Sequence, residues 1–439
     1  MRHELNFKTI DKFSQSVIDA LDFTRDSEEK FYDVVDLDDF KDDDADKIFR
    51  CLKNELRLIP FGDYLKRYIY IKAGMTGDYK AIDIKEYQRI IIDSFNENNT
   101  PKSFTETSAK LSALAKNWLT QVSINRQIVF LLGFGLNMEL KDVSTFLVNA
   151  QRERDFNFKD PNEIIYWYCF KNGYNCQKAI QLKKIYDDLP ATGDGTIYGD
   201  MTKGVRDTIQ GIKDESTLLK YLSIFKSKNK KDLFSITAYK RFSELYLKCK
   251  EIIANYYNSD EDEKLENEID DYRTKTKNSE KLSENDKNVQ IQKMRAARKV
   301  WQADEITESD VEKILCCGMP TDDNGNLLKL SASKLSKHFD NKRPSRQHIR
   351  EVLIKEVPVD RFDLITLNFF ILSQDENLIN NKLRYSAFIA STNNILDECA
   401  MGELYVANPY ECFLLMCILS DGPLATYADV CAKSFEKTL

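Results

Sequence analysis

Residues 331–350, SASKLSKHFDNKRPSRQHIR, concentrate the side chains best suited to contact another molecule. Lys334, Lys337, Lys342, Arg343, Arg346 and Arg350 stand against a single acid, Asp340, for a net charge of +5. Two of the three histidines, His338 and His348, also fall here. The spacing predicts a short helix (ASKLSKHF), a polar turn (DNKRP) and a second helix opened by Ser345. Two short helices joined by a tight turn can place the second in a DNA major groove. Arg346 and Gln347 are of the types that read guanine and adenine edges, while lysines and Ser345 anchor phosphates. The candidate nucleic-acid-binding set is Lys334, Lys337, Lys342, Arg343, Ser345, Arg346, Gln347 and Arg350. The same pattern also fits a protein-binding surface or a solvated basic face.

Other chemistry is hard to build from this chain. The ten cysteines include no CxxC pair, and the adjacent Cys316-Cys317 has no histidine close in sequence. A zinc site needs four soft ligands at tight spacing, so no metal is expected. The carboxylates Asp42, Asp43, Asp44 and Asp46 lack the glycine of a calcium loop and read as a solvated or interacting face. There is no GxSxG elbow and no GxxxxGK[ST] phosphate loop. Gly193-Asp194-Gly195 and Gly199 follow a helix, not a strand, and read as a loop. A Cys–His pair would require His338 or His348 to approach a distant thiol. No catalytic residue and no cofactor are assigned.

Composition sets the elements that position these residues. The chain has 439 residues, with only 15 glycines and 9 prolines. That is about half the usual combined share, which disfavours turn-rich β architecture and favours long helices. An all-α protein is expected. Cys169, Cys412 and Cys417 sit in apolar runs and behave there as small hydrophobes. No N-terminal apolar core and no 18-residue apolar window occur, so neither a signal peptide nor a spanning helix is expected. Free thiols then suggest a cytoplasmic protein without a membrane partner.

The charges divide the chain. The net charge is −7, which conceals −7 in residues 21–50, +6 in residues 221–250 and +5 in residues 331–350. An acidic N-terminal segment is assigned to residues 1–50 and a first helical domain to residues 51–257. Residues 258–288, poor in apolar side chains, form a charged linker or an exposed, charge-laced helix. A second helical domain fills residues 289–439. Asn324-Gly325 predicts a small β-hairpin near 321–330 with a two-residue turn.

The two helical domains share a pattern. SINRQIVFLLGFGLNM, KDVSTFLVNAQ and KDPNEIIYWYCFKNG in the first run parallel to PVDRFDLITLNFFILS, FIASTNNILDECA and ANPYECFLLMCILSDG in the second. Asp160-Pro161-Asn162-Glu163 falls on Asn408-Pro409-Tyr410-Glu411, and Arg126 then falls on Arg361, although upstream SINRQI pairs equally well with PSRQHI. Asp160-Pro161 is a helix cap followed by proline at the first helical position. A duplicated multi-helical unit is the expectation.

Two resemblances follow from these residues. Lys334-Leu335-Ser336 with the turn Asn341-Lys342-Arg343-Pro344-Ser345-Arg346 is similar to the helix-turn-helix of phage-repressor-like (XRE) regulators. That resemblance implies DNA binding, although the compact five-helix order is missing and copy one lacks the basic turn. The blocks IPFGDYLKRYIYIKAGM, INRQIVFLLGFGLNM, NFKDPNEIIYWYCFKNG and DRFDLITLNFFIL resemble uncharacterised multi-helical cytoplasmic proteins of gut Firmicutes, which brings no activity. The leading expectation is a non-enzymatic regulator or adaptor with a protein partner. A DNA-binding transcriptional regulator comes second, and an enzyme of unrecognised class third.

Overall fold

In the computed structural model, residues 44–55, 60–151, 155–158, 160–190, 202–226, 235–277, 283–329, 332–336, 344–406 and 408–435 are described. Among them the chain is all-α: 69% of it is helical, in 18 α-helices, with no sheet. Near 321–330, Thr321 and Leu327 make one isolated antiparallel bridge instead of paired strands. The Asp322 carboxylate accepts from the Asn324 and Asn326 N–H groups, and Gly325 takes φ 77°. Asp322 thus closes a three-residue loop, longer than the two-residue turn expected from Asn324-Gly325.

The first helical unit contains α2 (Phe61–Lys72), α3 (Ile84–Glu97), α4 (Leu111–Trp118), α5 (Arg126–Gly135), α6 (Leu140–Thr145), α7 (Pro161–Lys171), α8 (Cys176–Asp188), α9 (Thr202–Gln210) and α10 (Glu215–Lys226). Side-chain oxygens satisfy the orphan N–H groups at their starts. Asp83 accepts from Lys85, Asn125 from Gln127, Asp160 from Asn162 and Asn175 from Lys178. The buried face is aromatic, with Phe130, Phe134, Phe156, Tyr166 and Phe170 in mutual ring contact. Gly135 lets α5 lie on the Phe95 ring, where an added Cβ would fall 2.0 Å from a ring carbon.

Next comes α11 (Ile236–Thr276), a 41-residue helix about 60 Å long at 1.5 Å per residue. It runs through the stretch read as a linker or charge-laced helix. Its first half, assigned by sequence to domain one, packs elsewhere. Phe242, Cys249 and Ile253 share a core with Val311, Ile349, Leu364 and Phe370. Its second half is exposed and pairs with α12 (Glu284–Ala296). Arg295–Glu266 at 3.1 Å links these two helices, and Arg298, just past the end of α12, pairs with Asp262 at 2.8 Å.

The remaining helices are α13 (Glu308–Leu315), α14 (Arg346–Leu353), α15 (Arg361–Ser373), α16 (Asn381–Glu398), α17 (Pro409–Leu419) and α18 (Pro423–Phe435). Every residue of α17 is buried, so it is the central element of this second unit. The unit also recruits residues from the segment read as a separate acidic head. α1 (Asp44–Arg50) and the π-helical turn after it place Ile48, Cys51 and Leu52 in one cluster with Cys412, Val430 and Cys431. Asp46 pairs with Lys433 at 2.9 Å. Apolar spacing within an acidic stretch outweighed its charge, because Ala45 and Ile48 bury while the carboxylate stays at the edge.

Removing the Ile48 side chain tests that docking. Ile48→Ala should cost about 2–5 kcal/mol, the usual range for a fully buried aliphatic truncation, in denaturant unfolding. It should also speed labelling of Cys51 and Cys431 by a thiol reagent, while Cys169 in the first unit labels at the wild-type rate.

Candidate functional site

The basic module is only partly a helix pair. Lys337, Lys342 and Arg343 lie outside the described residues. Ala332–Leu335 form a turn and Ser336 is helical, while the expected helix from Lys337 onward lies outside the described residues. The Lys334 N–H donates to the Ser434 carbonyl at 2.7 Å, Ser333 Oγ meets Ser434 Oγ at 2.9 Å, and Leu335 is buried. These bonds tie the segment to the last turn of α18. Lys334 is half-buried there.

α14 starts where expected. Ser345 is its N-cap, its hydroxyl accepting from the His348 N–H at 3.2 Å. Ile349 and Val352 are buried, while Arg346, Gln347 and Arg350 are exposed. Acids accompany each of these. The Arg346 N–H donates to Glu312 at 3.0 Å, Gln347 Nε2 donates to Glu351 at 2.8 Å, and Arg350 lies 3.9 Å from Glu308. The short helix packed against α14 is α13, far upstream in sequence, which supplies Glu308 and Glu312.

His348 joins α14 to α15. Its Nε2 lies 2.9 Å from an oxygen of buried Asp363, whose other oxygen accepts from the Asp360 N–H. This bond to Asp363 holds the imidazole pKa above its ordinary value, against the opposing effect of burial.

Two buried arginine–glutamate pairs, one in each helical unit, share a closely matched geometry. Arg126, the first residue of α5, grips Glu163 on α7 with Nε–Oε1 at 2.8 Å and Nη2–Oε2 at 2.7 Å. Arg361, the first residue of α15, reaches Glu411 on α17 with Nη2 at 2.9 and 3.0 Å from its two oxygens. In each copy the arginine also donates to the carbonyl eight residues before the glutamate, Asp155 or Glu403. In each, the glutamate accepts from the N–H six residues before itself, Asn157 or Tyr405. Both glutamates sit at the third position of a Pro-started helix. Proline spacing and the Arg register were visible in sequence. The pairing across 37 and 50 residues was not.

The thiols show no activated nucleophile. Nine of the ten cysteines are buried and Cys317 is half-buried. Burial pushes Cys169, Cys176 and Cys399 up to about 12 and Cys317 to about 11. Among the described residues, no cluster of histidine, cysteine and carboxylate could hold a metal.

A groove of about 720 Å³ opens between α11 and the chain linking α15 to α16. Ile252, Tyr256, Ile371, Leu378, Ile379 and Arg384 contribute to its walls. Ile379 is 86% exposed, and Leu383, beside Arg384, is 61% exposed. A groove between elements more than a hundred residues apart leaves no local pattern in the sequence.

No protein-family model, curated protein or solved structure matches this chain.

Two measurements probe the polar geometry. Glu411→Gln leaves the Arg361 charge buried without its counter-ion and should cost about 3–5 kcal/mol in chemical unfolding, the range for breaking a buried pair. Separately, the raised His348 pKa stabilises the folded state fully below the unfolded value of about 6.5 and loses that contribution as pH rises through the folded value. Hydrogen exchange in α14 should therefore accelerate across that interval, beyond the intrinsic pH effect, and His348→Asn should remove the extra acceleration.

Proposed function

We propose that this protein is a non-enzymatic adaptor or regulator acting through protein–protein contacts. The groove between α11 and the α15–α16 connection carries this reading. It is open, and Tyr256 and Ile379 remain exposed on its walls at 41% and 86%. Apolar side chains left exposed around a concavity mark interaction sites. The strongest buried polar groups elsewhere are engaged in joining helices, as in the Arg126–Glu163 and Arg361–Glu411 pairs.

DNA binding is the second reading, supported by α14. Arg346, Gln347 and Arg350 are exposed on a helix whose Ile349 and Val352 face inward. The neighbouring Glu308, Glu312 and Glu351 weigh against it, since acids beside a basic face weaken attraction to phosphate.

The two readings separate in one pair of experiments. Crosslinking in cells should recover a defined partner with the wild-type chain and lose it with Ile379→Asp combined with Leu383→Asp. Retention of the same partner by that variant would overturn the groove reading. For DNA, polarisation with duplex fragments should give binding that falls steeply with salt and weakens at least tenfold with Arg346→Ala and Arg350→Ala together. Binding unchanged in that variant would remove α14 from consideration.

A further inference from the structure

Three arginines illustrate how this chain treats buried guanidinium groups. Arg126 and Arg361 each face a glutamate that neutralises them. Arg384, on α16, is 8% exposed and has no such partner among the described residues. Its Nη1 donates to the Ser420 carbonyl at 2.8 Å, and no described carboxylate lies within ion-pair distance, 4.0 Å. The Asp421 charge, itself held by Asn381 Nδ2 at 2.8 Å, offsets part of the cost of burying Arg384. A guanidinium carries five donors in a planar fork, and an uncompensated buried charge is costly. Burial depresses the Arg384 pKa accordingly. Arg384 also lines the groove.

We propose that this groove receives the C-terminal carboxylate of an extended peptide, with Arg384 as the residue that binds it. The inference rests on the adaptor reading and specifies its partner. A guanidinium fork matches a carboxylate in two parallel hydrogen bonds. The groove volume lies within the range of specific ligand sites, and Ile252, Ile371 and Leu378 offer apolar contact to the last side chains of a peptide. Asp375 and Glu376 also line the groove. With Asp421 they oppose polyanions such as nucleic acid and favour a ligand with one carboxylate and neutral or basic residues before it. Asp375 is partly occupied by the Asn377 backbone and side-chain amides.

The test uses the full chain and two fluorescein-labelled pools of random hexapeptides, one with free C-terminal carboxylates and one amidated. Polarisation should show the free-acid pool binding at least tenfold more tightly than the amide pool. Arg384→Lys keeps the charge but loses the fork and should reduce free-acid binding about tenfold. Ile379→Asp, at a site too exposed to affect folding, should weaken both pools. Equal affinity for the two pools, or binding by neither, would overturn the assignment. A cellular partner retained by Arg384→Lys but lost by the Ile379/Leu383 double variant would overturn the carboxylate contact while leaving the adaptor reading in place.

Discussion

A guanidinium and a carboxylate exposed by only 4% and 1%, as Arg361 and Glu411 are, must find nearly all their hydrogen bonds inside the protein. Each copy of the repeat meets that demand in the same manner. The arginine binds the glutamate and a carbonyl eight residues before it, and the glutamate accepts an N–H six residues before itself. This arrangement ties the start of one helix, the start of a second and the loop entering that second helix. The aromatic cluster of the first unit and the fully buried α17 of the second are assembled around these ties. Hydrophobic burial supplies most of the driving force. The ion pairs act on geometry, since they are satisfied only when both helix starts meet.

The two Arg–Glu ties join corresponding positions and differ in detail. Copy one grips side-on through Nε and Nη2. Copy two reaches Glu411 through Nη2, and its buried Nε has no hydrogen-bond partner. Copy two is also less self-contained. It takes α1 from the N-terminal side of the chain and the first half of α11 into its cores. The second unit is therefore assembled from three separated parts of the chain, with α11 passing from this core into the charged α11–α12 pair.

That long helix also forms one wall of the groove. One face of its first half is covered by α15, while Tyr256 remains 41% exposed beside the groove. The loop from Gln374 to Asn380 forms the opposite wall, and its Ile379 has no covering element among the described residues. The α14 face follows a different logic, with basic side chains alternating with carboxylates from α13 and from its own next turn.

Sequence alone determined the helical class, because low glycine and proline content, helical apolar spacing and side-chain caps such as Asp160, Ser345 and Asn408 are local properties. It also set Glu163 against Glu411, and offered Arg361 as the counterpart of Arg126 in one of two registers. Only tertiary structure decided that these residues pair, that α1 completes the second unit, and that Ser333 and Lys334 anchor to α18. Charge misled in the acidic segment, since a few apolar residues at helical spacing suffice to dock a short helix whose Asp46 stays exposed. The groove and unpaired Arg384 were invisible for a simple reason. Burial without a partner depends on what the rest of the chain places nearby, and no local pattern encodes it.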